Sequence, residues 1–383
     1  MKATRNRNWR VCYFGTYRAE YSRNRILIEG LRRNGVEVLE CHEPLWHGIE
    51  DRVRVASGAW AYPAFWYHLL STYGRLLSRY WSIRQNYDVL VVGYPGQVDV
   101  FLARLLSWIQ RKPLVWDIFM SIYLIALERG LAERSSFTVR MIRQLERVAC
   151  RFPDLLILDT AEYVAWFEQT HGVPSNRFRL IPTGADTRLF RPISRQNVDD
   201  GIFRVIYYGT FIRNHAVEYI IEAARLLAGD QTIRFELIGE GPDREKAMEM
   251  TKTYRLKNVW FVDWMDQSEL LTRVADADVC LGAFGTTPQS VMTIQNKIYE
   301  ALAMAKPVLT GDAPAIRKVL KHGEHLYLCE RANPQALAKA LCLLRNDPEL
   351  RRKLSANGYA LCQQRFTIEQ LGLQFKKYLL ECV

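Results

Sequence analysis

The 383-residue sequence predicts an α/β protein made of two parallel-sheet domains, and three observations carry that prediction. The length exceeds what one comfortable core needs and suits two domains of ordinary size. Short strand-like apolar runs alternate with amphipathic stretches of helical period, the pattern of a parallel sheet covered by helices. Midway, the polar stretch RPISRQNVDDG at 191–201 interrupts the alternation, and the same grammar then restarts.

In the first half, VCYF (11–14) leads through a turn at Gly15 to a helix around Arg23–Asn34. Gly35 is placed to cap that helix before the strand VEVLE. Further strands are DVLVV (88–92), PLVW (113–116) and LLIL (155–158), and Phe178–Pro182 closes the half. The second half opens with FRVIYYG (203–209), a helix near Val217–Ala228 and FELIGEG (235–241). NVWFV, ADVCL and PVLT follow as strands, with a helix at Ile294–Ala305 between the last two. This gives a first domain over 1–190, a second over 201–365 and a last helix over 366–383 expected to pack back on the first domain. Ligands of such sheets bind beyond the carboxyl ends of the strands, so the expected site is a cleft between two facing domains.

Composition narrows the class. An apolar fraction of 49% and a mean hydropathy of −0.15 read as a globular, cytoplasmic protein. The basic N-terminus passes straight into a strand-like run, without the apolar segment of a signal peptide. The charge-free stretch Val55–Gly74 has the length of a membrane span but carries Pro63, His68, Ser71 and Thr72, which argues against one. Eight cysteines without CxxC or His-paired spacing read as reduced thiols. The net charge of +11 is uneven, with 25 Lys and Arg against 17 Asp and Glu in residues 1–180. That excess points to an anionic partner, phosphate or membrane surface; no nucleic-acid module is evident, and solvated arginines also account for part of it.

The segments RLIPTGADTRLFRP (179–192), YYGTF (207–211), ELIGEGPDREK (236–246), ADVCLGAF (277–284) and NKIYEALAMAKPVLTG (296–311) occur in that order. In this the chain resembles the family 4 glycosyltransferases, retaining enzymes of the GT-B fold with two facing Rossmann-like domains. The resemblance implies transfer of a sugar from a nucleotide-diphosphate donor to a glycan, lipid-linked or small-molecule acceptor. It implies no cofactor and no metal. Relatives include non-transferases of the same fold, so a nucleotide-sugar epimerase and an inactive nucleotide-binding scaffold remain alternatives. A nicotinamide dehydrogenase is disfavoured, because GTYRAE after the first strand lacks GxGxxG.

A diphosphate suits backbone N–H groups at helix N-termini and Gly-rich turns. Gly209-Thr210 and the loop Thr286–Gln295 offer such cradles, and Lys297 in the first turn of the following helix adds a point charge, unless it is merely solvated. The resemblance gives Glu300 the ribose hydroxyls of the nucleotide; a Lys297–Glu300 ion pair is the structural alternative. Three positions depart from the family pattern. Met292 stands where many members carry a second glutamate, Thr210 at the usual arginine and His215 at the usual lysine, with Arg213 placed to compensate. The donor cradle is completed by Gly239, Met265, Thr293 and Asn296, with Gly15 and Thr16 from the first domain. Asp276-Ala277-Asp278 spells the DxD metal signature of another fold, but it precedes its strand and is expected to cap.

In the first half the resemblance places Tyr17, Arg18, Arg23 and Asn24 toward the acceptor. Asp117 matches a strand-end acidic position and joins Arg213, Lys297 and Glu300 as a candidate catalytic residue, while Phe119 replaces a common histidine. No protein base is identified; the leaving phosphate oxygen takes the acceptor proton in the implied mechanism. Residues Ala59–Arg84 recur in aromatics at helical spacing with Arg75, Arg79 and Arg84 among them, either a core helix or an interfacial one on anionic lipid.

Overall fold

The computed structural model describes residues 9–45, 63–195 and 200–383. The chain divides into two compact units, Met1–Pro182 with Ile368–Val383, and Thr183–Thr367. The segment between Pro182 and the polar 191–201 stretch therefore belongs to the second unit, not the first. The reason is burial: Ala185 and Phe190 pack in the second unit's core, and the Ala185 N–H donates to the Phe366 carbonyl.

The first unit holds a six-stranded parallel sheet of β1 (Trp9–Gly15), β2 (Val36–His42), β3 (Val89–Val92), β4 (Leu114–Asp117), β5 (Leu155–Leu158) and β6 (Phe178–Leu180). The strand order is β2-β1-β3-β4-β5-β6, so the chain reverses direction across the sheet between β1 and β3. Strands β3, β4 and β5 are buried along their whole length, as strands covered by helices on both faces must be. Local chemistry sets the helix ends. Thr160 caps the Ala161–His171 helix by accepting from the Tyr163 N–H, and Gly172 closes it in the left-handed conformation. The last helix, Ile368–Leu380, docks on Ser22–Arg33, with Asn34 donating to the Glu369 carbonyl and Lys376 to the Asn34 carbonyl.

The Pro63–Ile83 helix divides its faces. Thr72, Leu76 and Tyr80 are buried, whereas Trp66, Tyr67, Leu70 and Trp81 are exposed. Arg75 and Arg79 both pair with Glu43, and Arg84 lies over the Trp81 ring. Residues 59–62 of the aromatic stretch lie outside the described residues. Among the described residues, no helix is long and apolar enough to cross a membrane. All eight cysteines are free.

The second unit repeats the architecture with β7 (Phe203–Tyr208), β8 (Ile233–Ile238), β9 (Val259–Val262), β10 (Val279–Leu281), β11 (Val308–Gly311) and β12 (Tyr327–Cys329). Its order is β12-β11-β10-β7-β8-β9, all parallel, with the reversal between β7 and β10. One apolar cluster lies on each face of the sheet. Ile206, Tyr208 and Cys280 point into one, and the alternate residues Val205, Tyr207 and Leu281 into the other.

Candidate functional site

In open parallel sheets a ligand meets the chain where strand order reverses, beyond the strands' carboxyl ends. In the second unit that point joins the turn after β7 to the helix Asn296–Ala303 that follows β10. Two glycine turns pass each other there at contact distance. Gly209 and Gly239 have φ of +133° and +128°, and a Cβ on Gly239 would lie 2.2 Å from the Gly209 carbonyl oxygen. No other residue fits.

Lys297 fills the space that Gly209 leaves, its Nζ 3.0 Å from where a Cβ would stand. The ammonium also sits 3.8 Å from the centroid of the Tyr207 ring and 3.4 Å from His215 Nδ1. The residue is only 6% exposed. Burial brings its pKa down to about 7, against the opposing pull of Glu300. Glu300, one turn further along the same helix, is half-buried and acts electrostatically on the Tyr208 hydroxyl as well. Tyr208 in turn donates to the Lys297 carbonyl at 3.2 Å.

His215, at the position of the family's usual lysine, is held within its own turn. Its Nδ1 lies 2.7 Å from the Thr210 carbonyl and 2.9 Å from the Tyr207 hydroxyl. Burial first, and then the Lys297 charge, push its pKa well below the ordinary 6.5. It is a neutral hydrogen-bonding group that shapes the turn. Arg213 is exposed, close enough to Asp243 to favour its charged form, and Thr210 is exposed beside it. Asn296 opens the Lys297 helix, and Met265 packs at the edge of the core. The Thr293 hydroxyl donates to the Gln289 carbonyl at 2.8 Å.

Arg331 escaped notice in the sequence. It donates to the Gly285 carbonyl at 2.7 Å, to Ser290 Oγ at 2.9 Å and to the Asp312 carbonyl at 2.7 Å. Ser290 passes the constraint on to the Asn214 carbonyl at 2.6 Å, so the β10 loop and the β7 loop are fixed together. Met292 is buried nearby and offers no carboxylate. Tyr207, under the Lys297 ammonium, was also missed; its place two residues before Gly209 was the available signal.

In the first unit most predicted ligand residues are already engaged. Arg23 is fully buried and grips Asp117 with two hydrogen bonds, 2.9 and 2.8 Å, while donating to the Ile181 and Pro182 carbonyls. Asp117 is equally buried. These bonds tie the start of the Ser22–Arg33 helix to the end of β4 and the chain after β6. Asn24 accepts from the Tyr94 N–H and the Tyr13 hydroxyl and donates to the Arg18 and Tyr94 carbonyls, which uses its whole capacity. The Tyr17 hydroxyl donates to Glu40 at 2.9 Å from a fully buried ring. Thr16 is consumed by Asp99, through its N–H at 2.8 Å and its hydroxyl at 3.1 Å. Gly15 keeps its turn, and Arg18 alone of the four acceptor candidates stays partly exposed, 5.8 Å from the centroid of the Tyr21 ring. Asp278 lies at the amino end of β10, opposite the site, accepting from the Arg204 N–H at 2.8 Å and pairing with Arg195.

Two parallel α/β units, one with a lysine set among glycine turns at its strand reversal, have the architecture of a GT-B glycosyltransferase. Residues 4–184 match the family described as "Glycosyl transferase 4-like domain" and residues 202–347 that described as "Glycosyl transferases group 1". The chain belongs to the group 1, family 4 glycosyltransferases. It is 24% identical over 284 residues to alpha-D-kanosaminyltransferase of Streptomyces kanamyceticus, covering 72% of each chain. It is 25% identical to the lipopolysaccharide core biosynthesis glycosyltransferase LpsD of Rhizobium meliloti, over 46% of this chain and 49% of that protein. Among solved structures, sucrose-phosphate synthase from Thermosynechococcus elongatus aligns with a TM-score of 0.72 at 17% identity, covering 97% of this chain and 98% of that one. Anabaena Alr3699/HepE in complex with UDP aligns with a TM-score of 0.69 at 16% identity, covering 97% and 100%.

Proposed function

We propose that this glycosyltransferase moves a hexosyl group, with retention of anomeric configuration and without a metal, from a nucleotide-diphosphate sugar to a glycan, lipid-linked or small-molecule acceptor. The observation that carries the reading is the Lys297 ammonium, buried against Gly209 and Tyr207 at the strand reversal with Glu300 one turn away. Lys297 is assigned to the diphosphate, whose growing negative charge it stabilises as the sugar departs. Glu300 accepts hydrogen bonds from the ribose hydroxyls. With Asp117 committed to Arg23, no side chain of that strand end serves as base. The departing phosphate oxygen takes the acceptor proton, and the protein contributes position and charge.

The experiment is a panel of UDP-, GDP-, ADP- and dTDP-hexoses, UDP-glucose first, scored for binding by thermal shift and for sugar release or transfer. Failure to bind or turn over any member overturns the reading. Glu300→Ala is expected to cost about 1.5–3 kcal/mol of donor affinity, the worth of a hydrogen bond to a charged group. Unchanged calorimetric affinity in a folded variant would remove Glu300 from the site. Turnover is expected to persist in excess EDTA, because the DxD carboxylate Asp278 is held by the Arg195 guanidinium and the Arg204 N–H at the wrong end of its strand. A collapse reversed by Mg²⁺ or Mn²⁺ would show a metal at work.

A further inference from the structure

The turn after β1 stands at the first unit's own strand reversal, yet its polar groups are turned inward. Gly15 has a φ of +130°, and a Cβ there would lie 2.5 Å from Asp99 Oδ2. Asp99 opens the helix Asp99–Gln110 and is 1% exposed. Its carboxyl takes the Thr16 N–H at 2.8 Å and the Thr16 hydroxyl at 3.1 Å. The Tyr73 hydroxyl, from the Pro63–Ile83 helix, closes the other oxygen at 2.6 Å. Thr16 and Tyr73 are the polar partners that face it among the described residues.

All three bonds run into the carboxyl, the arrangement an ionised acid wants. A protonated Asp99 must donate as well as accept, so a hydroxyl of Thr16 or Tyr73 has to turn and accept from it, and the carboxyl's hold on the turn changes. Burial brings the group to the edge of that change, its pKa raised to about 6 against the opposing hydrogen bonds of Tyr73 and Thr16.

We propose that Asp99 is a positioning residue for the transfer reaction: its carboxylate sets the shape of the Gly15–Thr16 turn at the first unit's strand reversal, where a substrate of that unit would be held, and Tyr73 fixes the carboxylate in place. The proposal rests on the transferase reading above. Thr16 gives substrate nothing directly; the turn works by its shape and by the room a glycine leaves. Loss of the carboxylate lets the turn relax, and a displacement of about 1 Å at a reacting centre costs on the order of a hundredfold in rate.

The test is the pH dependence of turnover at saturating donor, using the panel hexose that the wild type turns over fastest, together with amide exchange at Thr16 in the free protein. The wild type should lose rate, and Thr16 its protection, on the acid side near pH 6. Tyr73→Phe removes a bond that favours the ionised form, so its acid limb should move toward neutral pH while thermal stability changes little. Asp99→Asn should lower kcat about tenfold or more at every pH with no acid limb, leaving nucleotide-sugar affinity within about twofold. A wild type that turns over no donor overturns the transferase reading and this proposal with it. Turnover whose acid limb stays unmoved in both variants overturns the role of Asp99 alone, as does a Thr16 amide equally protected in wild type and Asp99→Asn.

Discussion

Replacing Lys297 with alanine is expected to weaken nucleotide-diphosphate-sugar binding by about 1.5–3 kcal/mol, roughly a 10- to 150-fold rise in Kd. The ammonium stands buried between Gly209, Tyr207 and His215, and that burial leaves its pKa at about 7. A bound diphosphate favours the cation and raises that value, so binding takes up a proton. The sign follows. Below about pH 6 the lysine is already charged and affinity is flat. Above pH 7, up to the pKa of the bound state, affinity falls as pH rises, by at most about tenfold per unit for one proton. A sugar diphosphate is the right probe, since both its phosphates are esterified and do not titrate in this range. Calorimetry from pH 6 to 8.5 in two buffers of different ionisation enthalpy reads both quantities. Lys297→Ala should bind weakly and without pH dependence. His215→Ala should keep the wild-type dependence, because His215 is neutral throughout. A wild type whose affinity is flat with no proton uptake would show that Lys297 does not hold the diphosphate.

What the sequence discloses about this molecule is local. The β7 run, the glycine that ends it and the three-residue spacing of Lys297 and Glu300 are set by neighbours along the chain, and each is read correctly as strand, turn and helix face. Partnerships between distant residues are not legible in this way. Arg23 and Asp117 looked like two ligand groups because one opens the helix after β1 and the other ends β4; that they neutralise one another depends on packing 94 positions apart. Asp99 had no motif at all, being an ordinary acid in a helix's first turn, and only the folded chain brings Gly15, Thr16 and Tyr73 onto it. His215 shows the same limit in its electrostatics. It stands where the family carries a lysine, and burial together with the neighbouring Lys297 charge keeps it neutral.

The buried pair offers the second large effect. Arg23→Ala is expected to destabilise the protein by about 3–5 kcal/mol, the usual consequence of leaving one member of a buried ion pair alone. The loss extends beyond Asp117, because the guanidinium also satisfies the Ile181 and Pro182 carbonyls and its charge opposes the rise of a third carboxyl. That group, Asp159, is buried at the end of β5, and burial raises its pKa to about 7 even with Arg23 nearby. Between roughly pH 4 and 7 the folded state holds the Asp159 proton and the unfolded state does not, so this group's contribution to stability falls as pH rises through that window. Removing Arg23 takes away the charge that limits the effect, so the variant's stability should decline more steeply from pH 5 to 8 than the wild type's. Urea unfolding across that range measures both slopes. The double variant Arg23→Leu with Asp117→Leu should recover part of the loss, since a buried pair replaced by apolar groups is often neutral. Equal stability of wild type and Arg23→Ala at pH 8 would mean that the pair contributes nothing to the sheet, and Arg23 would return to the candidates for binding the acceptor.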